Sequence, residues 1–286
     1  SKGIRAVISN DTSTGNIKII QTDRNVKGGT EGISADNSGS GDTTIILNSD
    51  VTGDYDGVEA RSSNGTGNIL ITTAGKIYGG FLSGISADMC TQYECPGSIG
   101  NIKIIQTDGY IKGEKLGIFS VNKGSGESTI ISNSGVTGGE YGILMGGDDG
   151  TLNVDIGTLG TVTGGRSGIV SSLFSSNKDK GININVSGTV VGGTGYGILT
   201  DTLAESSIII NLNNGANVSA TSGIGIMDGE GAYSSYDMGK TTLTMNSGSK
   251  LSGKVILGNN SDAMIINGTS DINDVTLLDG GNRDGI

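Results

Sequence analysis

The sequence contains no histidine and no tryptophan, and only one proline and two cysteines among 286 residues. Without histidine there can be no Ser–His–Asp or Cys–His catalysis and no metal site that uses imidazole. Without tryptophan, a sugar platform built on aromatic stacking is weakened, with three Phe and eight Tyr remaining. With a single proline, almost nothing interrupts a hydrogen-bonded ladder. No apolar run approaches the roughly 20 residues that cross a bilayer as a helix, so no membrane insertion of this chain is expected. The N-terminus carries no signal peptide, and Ser1 is expected to begin a trimmed or mature fragment. Basic residues are scarce as well: 18 Lys and Arg stand against 29 Asp and Glu, a net charge of −11. An acidic chain with no basic cluster is a poor partner for nucleic acid or anionic lipid.

Glycine is plentiful, with 53 residues, but it follows no three-residue rule, which excludes collagen. The apolar residues are Ile, Val and Leu in short alternating runs, which argues against disorder. A Gly followed by an aliphatic residue recurs at Gly3-Ile4, Gly32-Ile33, Gly57-Val58, Gly84-Ile85, Gly117-Ile118, Gly142-Ile143, Gly168-Ile169, Gly197-Ile198 and Gly223-Ile224, spaced by 25 to 33 residues. A phrase such as VKGG at 26 or VTGG at 136 precedes most of these pairs, and an alternating run such as ININV (182–186) precedes the phrase. Each unit therefore reads as a long strand, a short strand ending in Gly, and a third strand opening at Gly-Ile.

Nine residues, GNIKIIQTD, occur identically at 15–23 and 100–108. Their separation of 85 residues equals three units, so they mark one coil position revisited, not a second domain. A period of this size signals a solenoid. Helical repeats need 3.6-residue periodicity and helix formers, whereas this chain is rich in Gly, Asn, Thr, Ser and β-branched residues. The expected fold is all-β: a single parallel β-helix spanning 1–286, with about ten coils and three short strands per coil. Ile182, Ile184 and Val186 should face inward, with Asn183 and Asn185 outward. Ile17 and Ile19 should stack with Ile69, Ile71, Ile102 and Ile104 in nearby coils. Past Gly223 the pattern loosens, although LSGKVIL (251–257) and INDVTLL (272–278) read as further coils.

The longest interval holds MCTQYECPG, with Cys90, Tyr93, Cys95 and the single proline, Pro96. A strict coil cannot hold this excess, which reads as a protruding loop stapled by a local Cys90–Cys95 disulfide, an indicator of export. Redox or metal use of the pair is disfavoured, because two thiols without His make an incomplete site and the spacing is not CxxC. GEGAYSSYDMGK (229–240), with Tyr233 and Tyr236, and SSLFSSNKDK (171–180), with Leu173 and Phe174, read as further excursions. Their exposed aromatics are candidate binding anchors. GGDDGTLNV (146–154) half-resembles a calcium-binding nonapeptide, but it occurs once and reads as a solvated turn. Asp155, Asp179 and Arg166 could be imagined as an acid/base group, yet nothing in the sequence gathers them. No cofactor, metal site or catalytic residue is expected.

The glycine-rich, proline-poor coil, the Gly-Ile turns, the missing His and Trp and the single close cysteine pair together resemble bacterial autotransporter passengers. The phrase V-x-G-G-x-x-x-G-I, as in VKGGTEGI (26–33) and VTGGEYGI (136–143), is most similar to Bartonella passengers, including their pro-angiogenic members. The resemblance implies a right-handed parallel β-helix, exported to the bacterial surface or medium through a C-terminal β-barrel that is missing here. It also implies a ligand of the endothelial receptor for vascular endothelial growth factor. The chain is accordingly read as a non-enzymatic, secreted or surface-exposed passenger that binds a host-cell receptor through coil faces and the loops at 88–97 and 229–238. A self-associating adhesin is the alternative, and a polysaccharide-degrading β-helix enzyme a further one.

Overall fold

A computed structural model describes residues 2–64, 66–90, 98–175, 177–202, 206–229, 239–258, 262–272 and 277–278. Among the described residues the chain forms thirty β-strands and no helix. The strands fall into three sheets of eleven (sheet A), ten (sheet B) and nine (sheet C) members. Neighbours within each sheet are three strands apart in chain order, except the last two of sheet A, which are two apart, and all pair in parallel. The chain therefore visits sheets B, C and A in turn and rises by one rung per circuit. This is a parallel β-solenoid of about nine complete turns, with the partial turns at either end accounting for the two longer sheets.

The three strands of a coil match the three parts of the repeat. In the first complete coil, Ile17–Gln21 lies in sheet B, Val26–Gly28 in sheet C and Ile33–Asn37 in sheet A. Alternation sends every second side chain inward, so each sheet contributes a column of aliphatics to one core. The central column of sheet B runs Ile19, Ile45, Ile71, Ile104, Ile130, Val154, Ile184 and Ile210 without a break. The corresponding column of sheet C is all Val and Ile from Val26 to Val218, and ends in Leu251. Ile182, Ile184 and Val186 are fully buried, whereas Asn183 and Asn185 face outward, as the alternation requires. Ile17 and Ile69 share their column with Thr43, which occupies the rung between them.

The two copies of GNIKIIQTD lie three rungs apart in one continuous sheet. Similarity at this offset extends beyond the nine residues. Asn37 and Asn122 are both buried, and each side chain accepts from the N–H two residues on (Gly39, Gly124) while donating to the carbonyl four residues on (Gly41, Gly126).

Glycine at the repeat positions is a packing requirement. A Cβ at Gly142 would lie 2.6 Å from Val162 Cγ1 and 2.7 Å from the Gly168 carbonyl oxygen. One at Gly138 would collide with the Tyr141 carbonyl. The corner from sheet C to sheet A thus closes only when both glycines of the phrase are present.

One assignment is corrected. The ninth Gly-Ile pair of the solenoid is Gly225-Ile226, not Gly223-Ile224, because Ile198 pairs with Ile226 and the register shifts between Ile224 and Ile226. The looser region beyond it does continue the coil, through Lys250–Leu251, Lys254–Ile256, Ala263–Ile266 and Leu277–Leu278.

Candidate interaction edge

The three corners of the coil differ. Connections from sheet B to sheet C and from sheet C to sheet A are short, whereas the longest, 90–101 and 229–239, run from sheet A to sheet B. The excursions read from the sequence fall on this third corner, but they begin later than expected: 88–89 and 171–173 are still strand in sheet A, and Leu173 is buried in the core. Cys90 follows Ser83–Met89 and is fully buried, with a φ of 69°. Phe174 follows Ser167–Leu173, is 44% exposed, and donates its N–H to the Gly147 carbonyl at 2.8 Å. Tyr93, Cys95, Tyr233 and Tyr236 lie outside the described residues, so the disulfide and the tyrosine anchors remain expectations.

The corner from sheet C to sheet A presents a surface that the sequence reading overlooked. Backbone N–H groups climb it rung by rung: Tyr55 donates to Thr30, Leu82 to Tyr55, Lys115 to Leu82, Glu140 to Lys115 and Arg166 to Glu140, at 2.7–3.1 Å. On this fixed ladder Tyr55 and Phe81 stack, with ring centroids 5.2 Å apart and planes inclined at 27°. Lys115 Nζ lies 5.5 Å from the Phe81 centroid on the next rung. Further along, Arg166 lies 5.7 Å from the Tyr141 ring and donates from Nη1 to the Tyr141 hydroxyl at 2.9 Å. Beside the ladder, on sheet C, Tyr78 donates its hydroxyl to Glu114 at 3.0 Å, with Lys112 Nζ 5.7 Å from its ring. The hydrogen bond to Glu114 raises the Tyr78 phenol above its usual range.

Tyr55, Phe81, Tyr78 and Tyr110 are 42%, 55%, 37% and 37% exposed, four of the largest apolar surfaces within three successive coils. Each cation over a ring contributes about 0.5–1 kcal/mol at an exposed site, and a stacked aromatic pair about 0.5–1.5 kcal/mol. These contacts order the exposed rings against their neighbours on the surface. A signal for the edge was present in the sequence: Tyr55, Phe81, Lys115, Tyr141 and Arg166 all occupy the variable slots just before Gly-Ile in successive repeats.

A second polar group lies on the outer face of sheet A in the first coils. Glu59, 3% exposed, meets Arg61 at 2.5 Å and Lys2 at 3.8 Å, and accepts from Ser34 at 3.3 Å. Burial pushes the Glu59 carboxyl up, and Arg61 and Lys2 offset only part of the rise. Burial raises Asp88 too, which stacks on Arg61 in the next rung, and it raises Asp56. The Glu59 oxygens are already engaged by their neighbours, so this group is an ion-pair lattice closing the first coils. Among the described residues no three metal-ligating side chains converge. Arg166, Asp155 and Asp179 are not brought together: Arg166 donates to Tyr141, Asp155 accepts from Asn185 on sheet B at 2.7 Å, and the Asp179 backbone N–H donates to the Asn177 side chain at 3.0 Å. GGDDGTLNV forms a turn from sheet A to sheet B, in which Asp149 accepts from Ser175 at 2.7 Å.

Comparison with known proteins returns no matching family model, no matching curated protein and no matching solved structure.

Proposed function

We propose that this chain is a display rod: an exported, non-enzymatic autotransporter passenger that binds a host-cell surface protein. The observation that carries the reading is the edge between sheets C and A, where Tyr55 and Phe81 stand exposed on a hydrogen-bonded backbone ladder and Tyr78 beside it, with Lys115 against the Phe81 ring and Lys112 against the Tyr78 ring. Tyr and Arg are enriched where binding energy concentrates in protein interfaces. Side chains already ordered by stacking lose little rotamer freedom on binding, so more of the contact energy appears as affinity. The loops from sheet A to sheet B, which include Phe174 and the segments holding Tyr93, Tyr233 and Tyr236, extend the contact on a second side of the rod.

The resemblance to pro-angiogenic passengers makes the endothelial receptor for vascular endothelial growth factor the first partner to test. Soluble protein is immobilised and used to capture partners from endothelial membranes, and in parallel it is added to intact cells while receptor phosphorylation is followed. The reading expects the receptor in the captured fraction and phosphorylation that saturates with dose. Neither capture nor phosphorylation would remove the receptor assignment.

A further inference from the structure

The outward side chains of sheet A change character along the rod. Over the first four rungs they include Arg5, Asp36, Glu59, Arg61 and Asp88. From the fifth rung a single column becomes continuous and apolar: Phe119, Leu144, Val170, Leu199, Met227 and Ile256. The adjacent outward column is low and nearly uncharged there, with Val121, Gly146 and Ser172 preceding Asp201. Phe119, Leu144 and Leu199 are half-buried by their neighbours, and Val170 is 7% exposed, so the face is flat. No described strand lies over it.

From this face we infer that two copies of the chain associate through the apolar half of sheet A, packed antiparallel about a two-fold axis between the Val170 and Leu199 rungs. Three features favour a second copy as the occupant. A flat face covered by an identical flat face needs no complementary protrusion, and two sheets pack this way about 10 Å apart. Six rungs of strands five to seven residues long span ~25 Å by ~20 Å, on the order of 1,000 Å² over both copies, which places the contact at the weak, reversible end of specific interfaces. Charge selects the direction. A parallel pair would set the charged half of one rod against the same half of its copy and take Arg5, Arg61, Glu59 and Asp88 out of water. In the antiparallel pair the two charged halves lie at opposite ends of the contact and do not meet. The aromatic edge lies on a different corner, so the pair displays two such edges and gains from multivalency on a surface carrying many receptors. The association itself does not depend on the receptor reading.

The test is sedimentation equilibrium on the whole chain. Wild type is expected to convert from monomer to dimer across the micromolar range. Leu144→Lys and Met227→Glu, each on a half-buried outward position, are each expected to remain monomeric with unchanged circular dichroism. Antiparallel packing puts position 144 of one copy opposite 227 of the other, so mixing the two variants should restore a heterodimer. A single monomer mass for wild type up to ~1 mM would overturn the proposal, independently of any variant's folding. Dimerisation of both single variants as strong as wild type would overturn the choice of face, and failure of the mixture to pair would overturn the antiparallel register.

Discussion

At the scale of single residues, two neighbours on one strand show how strictly the coil separates inside from outside. Ile184 is fully buried between Val154 and Ile210, so Ile184→Asp places a carboxylate among aliphatics at a cost of several kcal/mol and should prevent folding. Asn185 points outward but is not idle: it donates to Asp155 at 2.7 Å and accepts from Asn211 at 2.9 Å. Asn185→Asp keeps the acceptor, loses the donor and sets two carboxylates on adjacent rungs, costing about 1 kcal/mol. Thermal melts of both variants check this; equal tolerance would reverse the assignment of faces. Asp88 supplies a pH test. Burial raises its carboxyl, and its buried Oδ1 has no hydrogen-bond partner. A raised carboxyl favours the fold when protonated, so this contribution is present below the ordinary carboxylate range and lost as pH rises through the raised value. Asp88→Asn should therefore raise the melting temperature at neutral pH by a few degrees and flatten its dependence from neutral pH down to the ordinary carboxylate range. A lower melting temperature at neutral pH would show that Arg61 and Lys123 outweigh the burial.

The alternation that separates Ile184 from Asn185 was legible in the sequence because a strand has period two and one face meets an apolar core. Gly223 and Gly225 show where local pattern fails. Both precede isoleucine, and both satisfy the spacing. The choice depends on the next coil: a Cβ at Gly225 would lie 2.7 Å from the Ser252 carbonyl, while nothing lies within 4 Å of one at Gly223. Gly223 is kept glycine by its φ of +82° instead, a turn requirement that spells the same dipeptide.

At the scale of elements, each corner has its own tolerance. The corner between sheets C and A is fixed by two glycines and a backbone ladder, so variation is confined to the slots that carry Tyr55, Phe81, Lys115 and Arg166. Exposed side chains there have no periodic apolar signature, and the stacking between rungs emerges only once the register is known. Excess length does stand out in sequence, which makes the long corner between sheets A and B the legible one. The Cys90–Cys95 bond proposed there closes a loop of only a few residues, so its loss should cost at most about 2 kcal/mol. Mass spectrometry of exported, oxidised protein should find the two thiols joined, and reduction should lower the melting temperature only slightly. Two free thiols, or collapse of the fold on reduction, would contradict this.

At the scale of the whole molecule, one core runs the length of a rod of about nine turns, ~45 Å at ~4.8 Å per rung. A rod of parallel coils keeps each side chain in register with the rungs above and below, which turns a repeat in sequence into rows on a surface. Two such rows are unusual here: an aromatic–cation edge and an apolar face, on different sides of the same scaffold. The proposed function depends on the first. The most direct measurement is equilibrium binding of soluble protein to endothelial cells, comparing wild type with the Tyr55→Ala/Phe81→Ala double variant. Both side chains are exposed, so the variant should keep the wild-type circular dichroism and melt within a few degrees of wild type, the loss expected from the stack and the Lys115 contact. Saturable binding by wild type is expected, with a loss of about 30-fold or more in the variant, the weight of an anchor of about 2 kcal/mol. Wild-type binding that never saturates, or a variant that binds as tightly as wild type, would contradict it.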